Sequence, residues 1–304
     1  MRFAISIPQL VEDGAFDPGA MQRYLARAEE LGFESAWTQE QVLGPSPVLG
    51  PLETMAYAAA GTTTLRLGCA VLITTLHSPV HLAKSVATLD QLSRGRIEIG
   101  VGTGGRRMFS AFGVVPETFV SRFTEGLELM KALWTQPEVK FAGRFWQVEA
   151  AAMEPKPFQK PYPPLWFGGN APSALRRAVR HGDGFIGAGS QTTAAFAAQV
   201  PVVREALAET GATGFRIAKR VYVAVDDDAD RARERLSAAL RRLYSFFVGV
   251  GDLTPVAVWG PPEACVEGLK AVIGAGAEMI LLNPLFDDFE QMERLAAEVI
   301  PQLG

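Results

Sequence analysis

The stretch from Leu65 to Gly105, LRLGCAVLITTLHSPVHLAKSVATLDQLSRGRIEIGVGTGG, decides the fold. An apolar, β-branched run, Leu67–Ile73, comes first, and a second apolar run, Ile97–Val101, comes last. Between them a helical pattern begins at Pro79 and continues to Leu92; proline is favoured in the first turn of a helix. A strand, a helix and a further strand in this order predict part of a parallel sheet covered by helices.

The same alternation continues on both sides of this stretch. Further strands are predicted at Phe3–Ile7, Ser35–Trp37, Leu165–Phe167, Phe185–Ile186, Ile217–Val225 and Met279–Leu282. Further helices are predicted from Asp17-Pro18 to Leu31 and near Leu52–Ala60, Phe119–Trp134, Ser173–Arg180, Thr193–Ala208, Ala229–Tyr244 and Phe289–Val299. The chain therefore holds eight predicted strands, each followed by a helix.

Eight such units in 304 residues favour an α/β fold of the (β/α)8 TIM barrel type over a doubly wound sheet. A single domain over residues 1–304 is the simplest interpretation. An extra helix, Pro262–Ile273, and the segment 137–164 are predicted insertions. Within that segment, Val139–Phe141 and Arg144–Val148 flank Ala142-Gly143, which predicts a hairpin.

Composition excludes several classes of protein. With 29 basic and 33 acidic side chains and a net charge of -4, the chain has no basic surface for nucleic acid. Cys69 and Cys265 lie in apolar contexts without metal-ligand spacing, and Pro79 separates His77 from His81, so no metal site is expected. Because there is no signal-like N-terminus and no long apolar run, we expect a cytoplasmic protein without membrane contact.

Glycine is concentrated where three predicted strands end, in Gly100–Gly105, Gly168-Gly169-Asn170 and Gly187–Ser190. Active sites of TIM barrels lie at these ends, and glycine lets a ligand approach the backbone. Asn170 and Ser173, beside a helix N-terminus, are candidates for binding a phosphate; the alternative is that they only cap that helix. Although Gly100–Gly105 matches GxGxxG, the acidic residue that a dinucleotide site requires falls in a helical pattern.

The candidate acid or base is Glu40, which follows the second strand; the alternative is a solvated loop carboxylate. Trp37, Arg106 and Phe109 are candidates for the substrate pocket, since they lie near strand ends and would suit a ring system or an anionic group. Tyr244, Phe246 and Phe247 are candidates for helix core or for a lid over the pocket.

Leu65–Gly105, together with PPLWFGGNAPSALRRAVRHGDGF from Pro163 to Phe185, resembles the luciferase-like monooxygenase superfamily, and more closely its bacterial branch dependent on coenzyme F420. The resemblance covers nearly the whole chain. It implies a flavin or deazaflavin across the strand ends, with its ring on a cis peptide within Val71-Leu72-Ile73. The implied cofactor-binding residues are Leu72, Ile73, Thr103, Gly104, Gly169, Asn170, Ser173, Gly189 and Ser190.

The chain departs from this family at two catalytic positions. Where many deazaflavin members have Asp-His, it has Glu40-Gln41, which become the catalytic candidates; where sugar-phosphate dehydrogenases have a glutamate, it has Gly105. We therefore expect hydride transfer from reduced F420 to a small organic acceptor. The alternatives are an FMN-dependent two-component monooxygenase served by a separate reductase, and a catalytically silent flavin-binding barrel. The resemblance also implies a homodimer.

Overall fold

The computed structural model describes residues 1–11, 15–244 and 252–304. Strands run over β1 Arg2–Ser6, β2 Ser35–Thr38, β3 Arg66–Ile73, β4 Ile97–Gly102, β5 Val139–Ala142, β6 Gln147–Ala151, β7 Leu165–Gly168, β8 Gly184–Gly187, β9 Arg216–Val225, β10 Ala257–Gly260 and β11 Met279–Asn283. Helices run over α1 Pro18–Glu30, α2 Pro51–Gly61, α3 Pro79–Leu92, α4 Phe119–Thr135, α5 Pro172–His181, α6 Thr193–Thr210, α7 Ala229–Leu243, α8 Pro262–Gly274 and α9 Asp288–Arg294.

Eight parallel strands close into a barrel in the order β1, β2, β3, β4, β7, β8, β9 and β11. Closure is complete because β9 pairs with β8 on one side and β11 pairs with β1 and β9. The predicted TIM barrel is confirmed. All eight strands end at one mouth, so the residues that follow β2, β3, β4, β7 and β8 meet there.

Large side chains fill the inside of the barrel below this mouth. Trp37 and Trp166 pack edge to face with ring centroids 5.9 Å apart. Trp37 requires a glycine on the next strand, since a Cβ on Gly68 would lie 2.5 Å from its ring. Glu98, fully buried, accepts hydrogen bonds from the indole Nε1 of Trp166 at 2.6 Å and from Nε of Arg66 at 2.5 Å. This packed floor leaves the mouth as the place where a ligand can bind.

The strand β10 was not predicted from the sequence. It pairs with the far half of β9, Tyr222–Val225, beyond the residues of β9 that pair with β8. The last helix also differs from the prediction, because α9 ends at Arg294 and a π-helical turn, Leu295–Val299, follows.

The hairpin in the segment 137–164 pairs Val139–Ala142 with Gln147–Ala151, so its second strand begins later than the sequence suggested. The reason is Glu125 on α4, whose carboxylate accepts hydrogen bonds from three successive backbone amides. These belong to Arg144, Phe145 and Trp146, at 2.8–3.0 Å. A carboxylate that engages successive amides holds them in a turn and takes them out of the strand ladder.

Candidate active site

A cavity of about 480 Å³ opens at the barrel mouth between the loop after β2, the end of β3 and the end of α7. Its walls are largely apolar, and its few polar side chains come mainly from the loop after β2. The apolar wall includes Leu43, Pro45, Met108, Ala111 and Leu243, and the polar groups include Gln39, Glu40, Gln41, Tyr222 and Tyr244. A mostly apolar cavity with a few convergent polar groups is typical of a small-molecule site.

Glu40 is held rigidly at the edge of this cavity. One carboxylate oxygen, Oε2, accepts a hydrogen bond from the backbone N–H of Ile73 at 2.5 Å, and Oε1 lies 2.7 Å from Nε2 of His77. Only 3% of the Glu40 side chain is exposed. The alternative of a solvated loop carboxylate is therefore wrong.

His77 was missed as a partner of this carboxylate. It follows β3 and lies 37 residues from Glu40 in the chain. Burial, the largest influence on its imidazole, would lower the pKa of His77. The hydrogen bond and the negative charge of Glu40, with a smaller contribution from Glu53, outweigh burial and raise that pKa above its ordinary value.

Gln41 brings an amide donor to the cavity wall. Its Nε2 is buried and, within the described residues, has no hydrogen-bond partner. It packs against Gly44, where a Cβ would lie 2.1 Å from Nε2. A buried unpaired donor is costly, so its presence at a cavity wall indicates a partner supplied by a ligand or by water.

The end of β3 crosses the barrel mouth over three glycines. The cis peptide bond joins Ala70 to Val71, one bond before the Val71-Leu72-Ile73 segment that the resemblance indicated. Val71 sits in a glycine socket formed by Gly100, Gly102 and Gly168. A Cβ on these glycines would lie 3.1, 2.7 and 3.1 Å from its methyl groups. Gly102 and Gly168 therefore make room for Val71 itself, and Gly100 makes room for Val71 and for the carbonyl oxygen of Cys69, which a Cβ would approach to 2.1 Å.

The other residues that the resemblance places around the ring differ in where they lie: some line the cavity and others do not. Ile73 lines the cavity and packs on Gly104, which has φ +66 and whose Cβ would lie 2.4 Å from Ile73 Cγ2. Leu72 instead points its side chain into the fully buried core facing the helices, so it does not line the cavity. Thr103 presents its carbonyl to the hydroxyl of Thr75 at 2.8 Å.

The residues Arg106–Phe112, which form a 3-10 helix after β4, correct two pocket predictions. Because a 3-10 helix has three residues per turn, Arg106 and Phe109 share one face. That face packs on Phe119: the Phe109 ring lies 5.4 Å from it, and the Arg106 guanidinium 5.3 Å. The faces that line the cavity belong to Arg107, Met108 and Ala111. Arg106 and Phe109 thus lie outside the cavity wall.

Asn170 and Ser173 are exposed at the N-terminus of α5. This helix starts at Pro172, and its N-cap is Ala171, which has no side-chain acceptor to offer. The alternative that Asn170 and Ser173 serve as caps is therefore wrong. Gly169 is required by packing, since a Cβ there would lie 2.9 Å from the Cβ of Ala174.

The end of β8 is tied to two tyrosines that line the cavity. The hydroxyls of Tyr222 and Tyr244 lie 2.7 Å apart, and Gly189 packs on the Tyr222 ring, with its Cβ position 2.9 Å away. Burial raises the pKa of Tyr244 well above its ordinary value, while a hydrogen bond with Ser190 acts in the opposite direction. Tyr244 is a cavity wall; Phe246 and Phe247 lie outside the described residues.

A second cleft of about 370 Å³ adjoins the cavity between β1, β9 and β11. Trp37, only 1% exposed, lies at its floor. Arg220, which sequence reasoning missed, donates from Nε to Oδ1 of Asn283 at 2.6 Å and from Nη1 to the carbonyl of Ala70 at 3.3 Å. These bonds link β9, β11 and β3 at the mouth.

Two features are absent from the described ranges, 1–11, 15–244 and 252–304. No group of three or more His, Cys, Asp or Glu side chains there could hold a metal ion. In the same ranges no helix is long and apolar enough to cross a membrane.

Comparison with known proteins gives the family. Residues 1–252 match the family model described as luciferase-like monooxygenase. An F420-dependent glucose-6-phosphate dehydrogenase of Intrasporangium calvum is 31% identical over 95% of this chain and 96% of its own. Monooxygenase RslO1 from Streptomyces bottropensis has a TM-score of 0.87 at 24% identity and covers 100% of both chains. An F420-dependent secondary alcohol dehydrogenase has a TM-score of 0.83 at 20% identity, over 100% of this chain and 99% of that one. Because the family model spans most of the sequence, the chain belongs to the luciferase-like monooxygenase family.

Proposed function

We propose that this protein is an oxidoreductase that transfers hydride from reduced coenzyme F420 to a small, largely apolar organic acceptor. The observation that carries the proposal is the cavity at the barrel mouth, where a buried carboxylate, Glu40, and an unpaired amide donor, Gln41 Nε2, meet apolar walls. The similarity to an F420-dependent dehydrogenase over nearly the full chain supports the choice of cofactor.

The residues at the mouth fit a deazaflavin. Ile73 lines the cavity and, with the half-buried Val71 two residues before it in β3, would offer an apolar surface to one face of a ring. Gln41 offers a donor to the polar atoms of that ring. Asn170 and Ser173 at the α5 N-terminus, with Ser190 after β8, would hold the phosphate-bearing tail. When bound, reduced F420 supplies a hydride from carbon, while the protein orients the two reactants and excludes water.

The acceptor side of the cavity favours reduction of an uncharged compound. Gly105 lines the cavity where the resemblance places the catalytic glutamate of sugar-phosphate dehydrogenases. Leu43, Met108 and Leu243 make the wall apolar. An electron-poor alkene or an imine, which needs a hydride and a proton, suits such a wall better than a sugar phosphate.

The test is anaerobic oxidation of reduced F420, followed by absorbance, with cyclic enones and imines as acceptors. We expect turnover by the wild type and at least a tenfold loss of kcat in Glu40→Gln. Arg106→Ala, whose side chain packs outside the cavity, serves as the matched control and should keep wild-type rates.

Other outcomes would assign the site differently. Oxygen consumption with reduced FMN, and no reaction with F420, would indicate the two-component monooxygenase and a partner reductase. Binding of a cofactor without turnover of any acceptor would leave the catalytically silent flavin-binding barrel, and failure to bind either cofactor would refute the redox assignment. The homodimer stays a prediction, which light scattering of the purified protein would test.

A further inference from the structure

We propose that Arg220 and Ser6 form a binding site for a planar, delocalised anion at the inner end of the second cleft, and that its occupant is the ionised ring of coenzyme F420. Such a site distinguishes this cofactor from FMN, whose oxidised ring is neutral. The choice of occupant rests on the proposed function, whereas the anion site itself rests on the geometry of the chain alone.

Arg220 is a buried cation whose hydrogen-bond partners are neutral. The residue is only 9% exposed. Its Nε donates to Oδ1 of Asn283 at 2.6 Å, and its Nη1 donates to the carbonyl oxygen of Ala70 at 3.3 Å. Among the residues that the structure describes, no carboxylate oxygen lies within 4.0 Å of its nitrogens. Because buried charges in proteins are normally paired, this guanidinium indicates an anionic ligand.

Two acidic side chains near this site are bound by other groups. Asp287 lines the second cleft and pairs with Arg235, whose Nη2 lies 2.5 Å from Oδ2 of the carboxylate. These two side chains are 42% and 41% exposed, so the pair lies toward solvent. Glu40, at the neighbouring cavity, is bonded to His77 and to a backbone N–H. Neither carboxylate neutralises Arg220 by direct contact.

The site offers several hydrogen-bond donors to an anion. An arginine has five N–H donors, and the bonds to Asn283 and Ala70 use two of them, which leaves three. Ser6 adds one more, because its Oγ accepts from Nδ2 of Asn283 at 3.1 Å and its own proton has no acceptor in the described part of the chain. Asn283 bonds both residues and so holds them side by side, and both line the second cleft.

The position of Arg220 relates this site to the place proposed for the cofactor ring. The carbonyl that accepts from its Nη1 belongs to Ala70, the residue before Val71 at the end of β3. The second cleft also shares two wall residues with the cavity at the barrel mouth. Burial raises the pKa of Tyr244, which lines that cavity, and the positive charge of Arg220 acts in the opposite direction. A ring lying on the end of β3 is therefore within the field of Arg220.

The two candidate cofactors differ in the charge of their rings. Oxidised F420 has a phenolic hydroxyl conjugated with its pyrimidine ring, and at mildly alkaline pH this hydroxyl is ionised, so its negative charge is spread over the ring. Oxidised FMN has a neutral ring at the same pH, whereas the ring of reduced FMN is anionic. A planar guanidinium suits a planar, delocalised anion, to which it can donate two parallel hydrogen bonds. Arg220 should therefore favour oxidised F420 and reduced FMN over oxidised FMN.

The first test needs no cofactor and compares benzoate with benzamide, its neutral analogue, as ligands of the apoprotein in ligand-observed NMR. Wild type should bind benzoate at least tenfold more tightly than benzamide, and Arg220→Gln should lose this preference, because a charge-assisted hydrogen bond is lost. Arg235→Gln is the matched control, since it removes a charge from the same cleft that is already paired, and should keep the preference. No preference for benzoate in wild type, or a preference that survives in Arg220→Gln, would overturn the site.

The second test measures the dissociation constants of oxidised F420, oxidised FMN and reduced FMN at mildly alkaline pH. Arg220→Gln should weaken binding of oxidised F420 and of reduced FMN by about 10- to 150-fold, and binding of oxidised FMN by less than about threefold. Arg220→Lys keeps the charge but loses the planar fork, so its affinities should lie between those of wild type and Arg220→Gln. Equal losses for all three ligands in Arg220→Gln, or no loss for any, would overturn the assignment of the ring to this site.

Two further measurements separate the remaining causes of a negative result. Urea denaturation of each variant shows whether it folds, and Ser6→Ala is the milder second variant, which should reduce the preference for benzoate by about two- to tenfold; an unchanged preference would remove Ser6 from the site. Competition identifies the occupant: displacement of benzoate by F420 supports the ring, and simultaneous binding of both would overturn it. Failure of the proposed function is distinguishable, because wild type would then not bind F420, while the preference for benzoate and its loss in Arg220→Gln would remain.

Discussion

Replacing Gly102 with alanine should push Val71 out of the glycine socket and weaken cofactor binding. Gly102 is the last residue of β4, and an alanine Cβ there would lie 2.7 Å from Val71 Cγ2. Ordinary van der Waals contact begins at 3.4 Å. Val71 must therefore move by about 0.7 Å, and the barrel below it is already filled by Trp37 and Trp166. The open direction is toward the mouth.

The size of the effect follows from overpacking, which typically costs about 1–3 kcal/mol in a well-packed site. If that cost falls on the complex, the cofactor dissociation constant rises by about 5- to 150-fold, since 1.4 kcal/mol is a factor of ten. If it falls on the fold, the free energy of unfolding drops by the same amount. A binding titration detects the first case and a denaturation curve detects the second, and both effects come from the same clash between Gly102→Ala and Val71.

The assay is fluorescence titration with F420 together with urea denaturation. Gly274→Ala is the matched control, because a Cβ at this last residue of α8 would meet nothing within 4 Å among the described residues. It should leave affinity for F420 unchanged. A Gly102→Ala protein with wild-type affinity and wild-type stability would refute the assignment of Val71 to the floor of the cofactor site.

Substitutions at three further residues test the fold and the proposed phosphate site. Glu98→Ala removes the buried partner of Arg66 and Trp166. It should lower the free energy of unfolding, measured in urea, by about 3–5 kcal/mol, and Glu98→Gln should lower it by less. A loss below about 1 kcal/mol in both variants would contradict the buried pair. Burial, reinforced by the positive charge of Arg220, lowers the pKa of Lys219 to about 7 from its ordinary 10.5. Between these two pH values the amine is protonated in the unfolded chain but not in the folded protein. The contribution of Lys219 to the free energy of unfolding therefore rises with pH in this range and is lost as the pH falls toward 7. Lys219→Met should flatten this rise in denaturation curves taken from pH 7 to 10, and an unchanged slope would show that the amine titrates normally. Ser173→Ala should weaken F420 binding by about 1 kcal/mol, or about fivefold, when binding is measured by calorimetry. Binding of the deazaflavin without its phosphate tail should not change. Equal losses for both ligands would show that Ser173 does not contact the phosphate.

Most of the barrel was predictable because local patterns and the global fold agree. The helix Pro79–Leu92 has the bounds that its proline and its apolar spacing predict, and Ile97–Gly102 extends the predicted strand by one residue. The strand Ala257–Gly260 was missed, because it is short and pairs only with the far half of β9. The hairpin strand was displaced by Glu125, a side chain on another element that local patterns do not reveal.

Residues of the site could be predicted from the sequence where their position at the end of a strand brings them to the cavity. They could not be predicted where the direction of the side chain determines whether they reach it. Glu40 and Gln41 reach the cavity because they follow β2. Arg106 and Phe109 do not, because the segment after β4 forms a 3-10 helix whose period turns them toward Phe119. His77 could have been found by noting that β2 and β3 are neighbours, so polar residues at their ends lie close together.

The measurement that tests the central claim most directly is equilibrium binding of F420 and of FMN, each oxidised and reduced, to the purified apoprotein by fluorescence quenching. The account predicts that F420 binds at micromolar concentration or below, that FMN binds more weakly, and that Gln41→Leu weakens F420 because the buried amide donor is lost. Tighter binding of reduced FMN than of F420, or binding of neither, would contradict it.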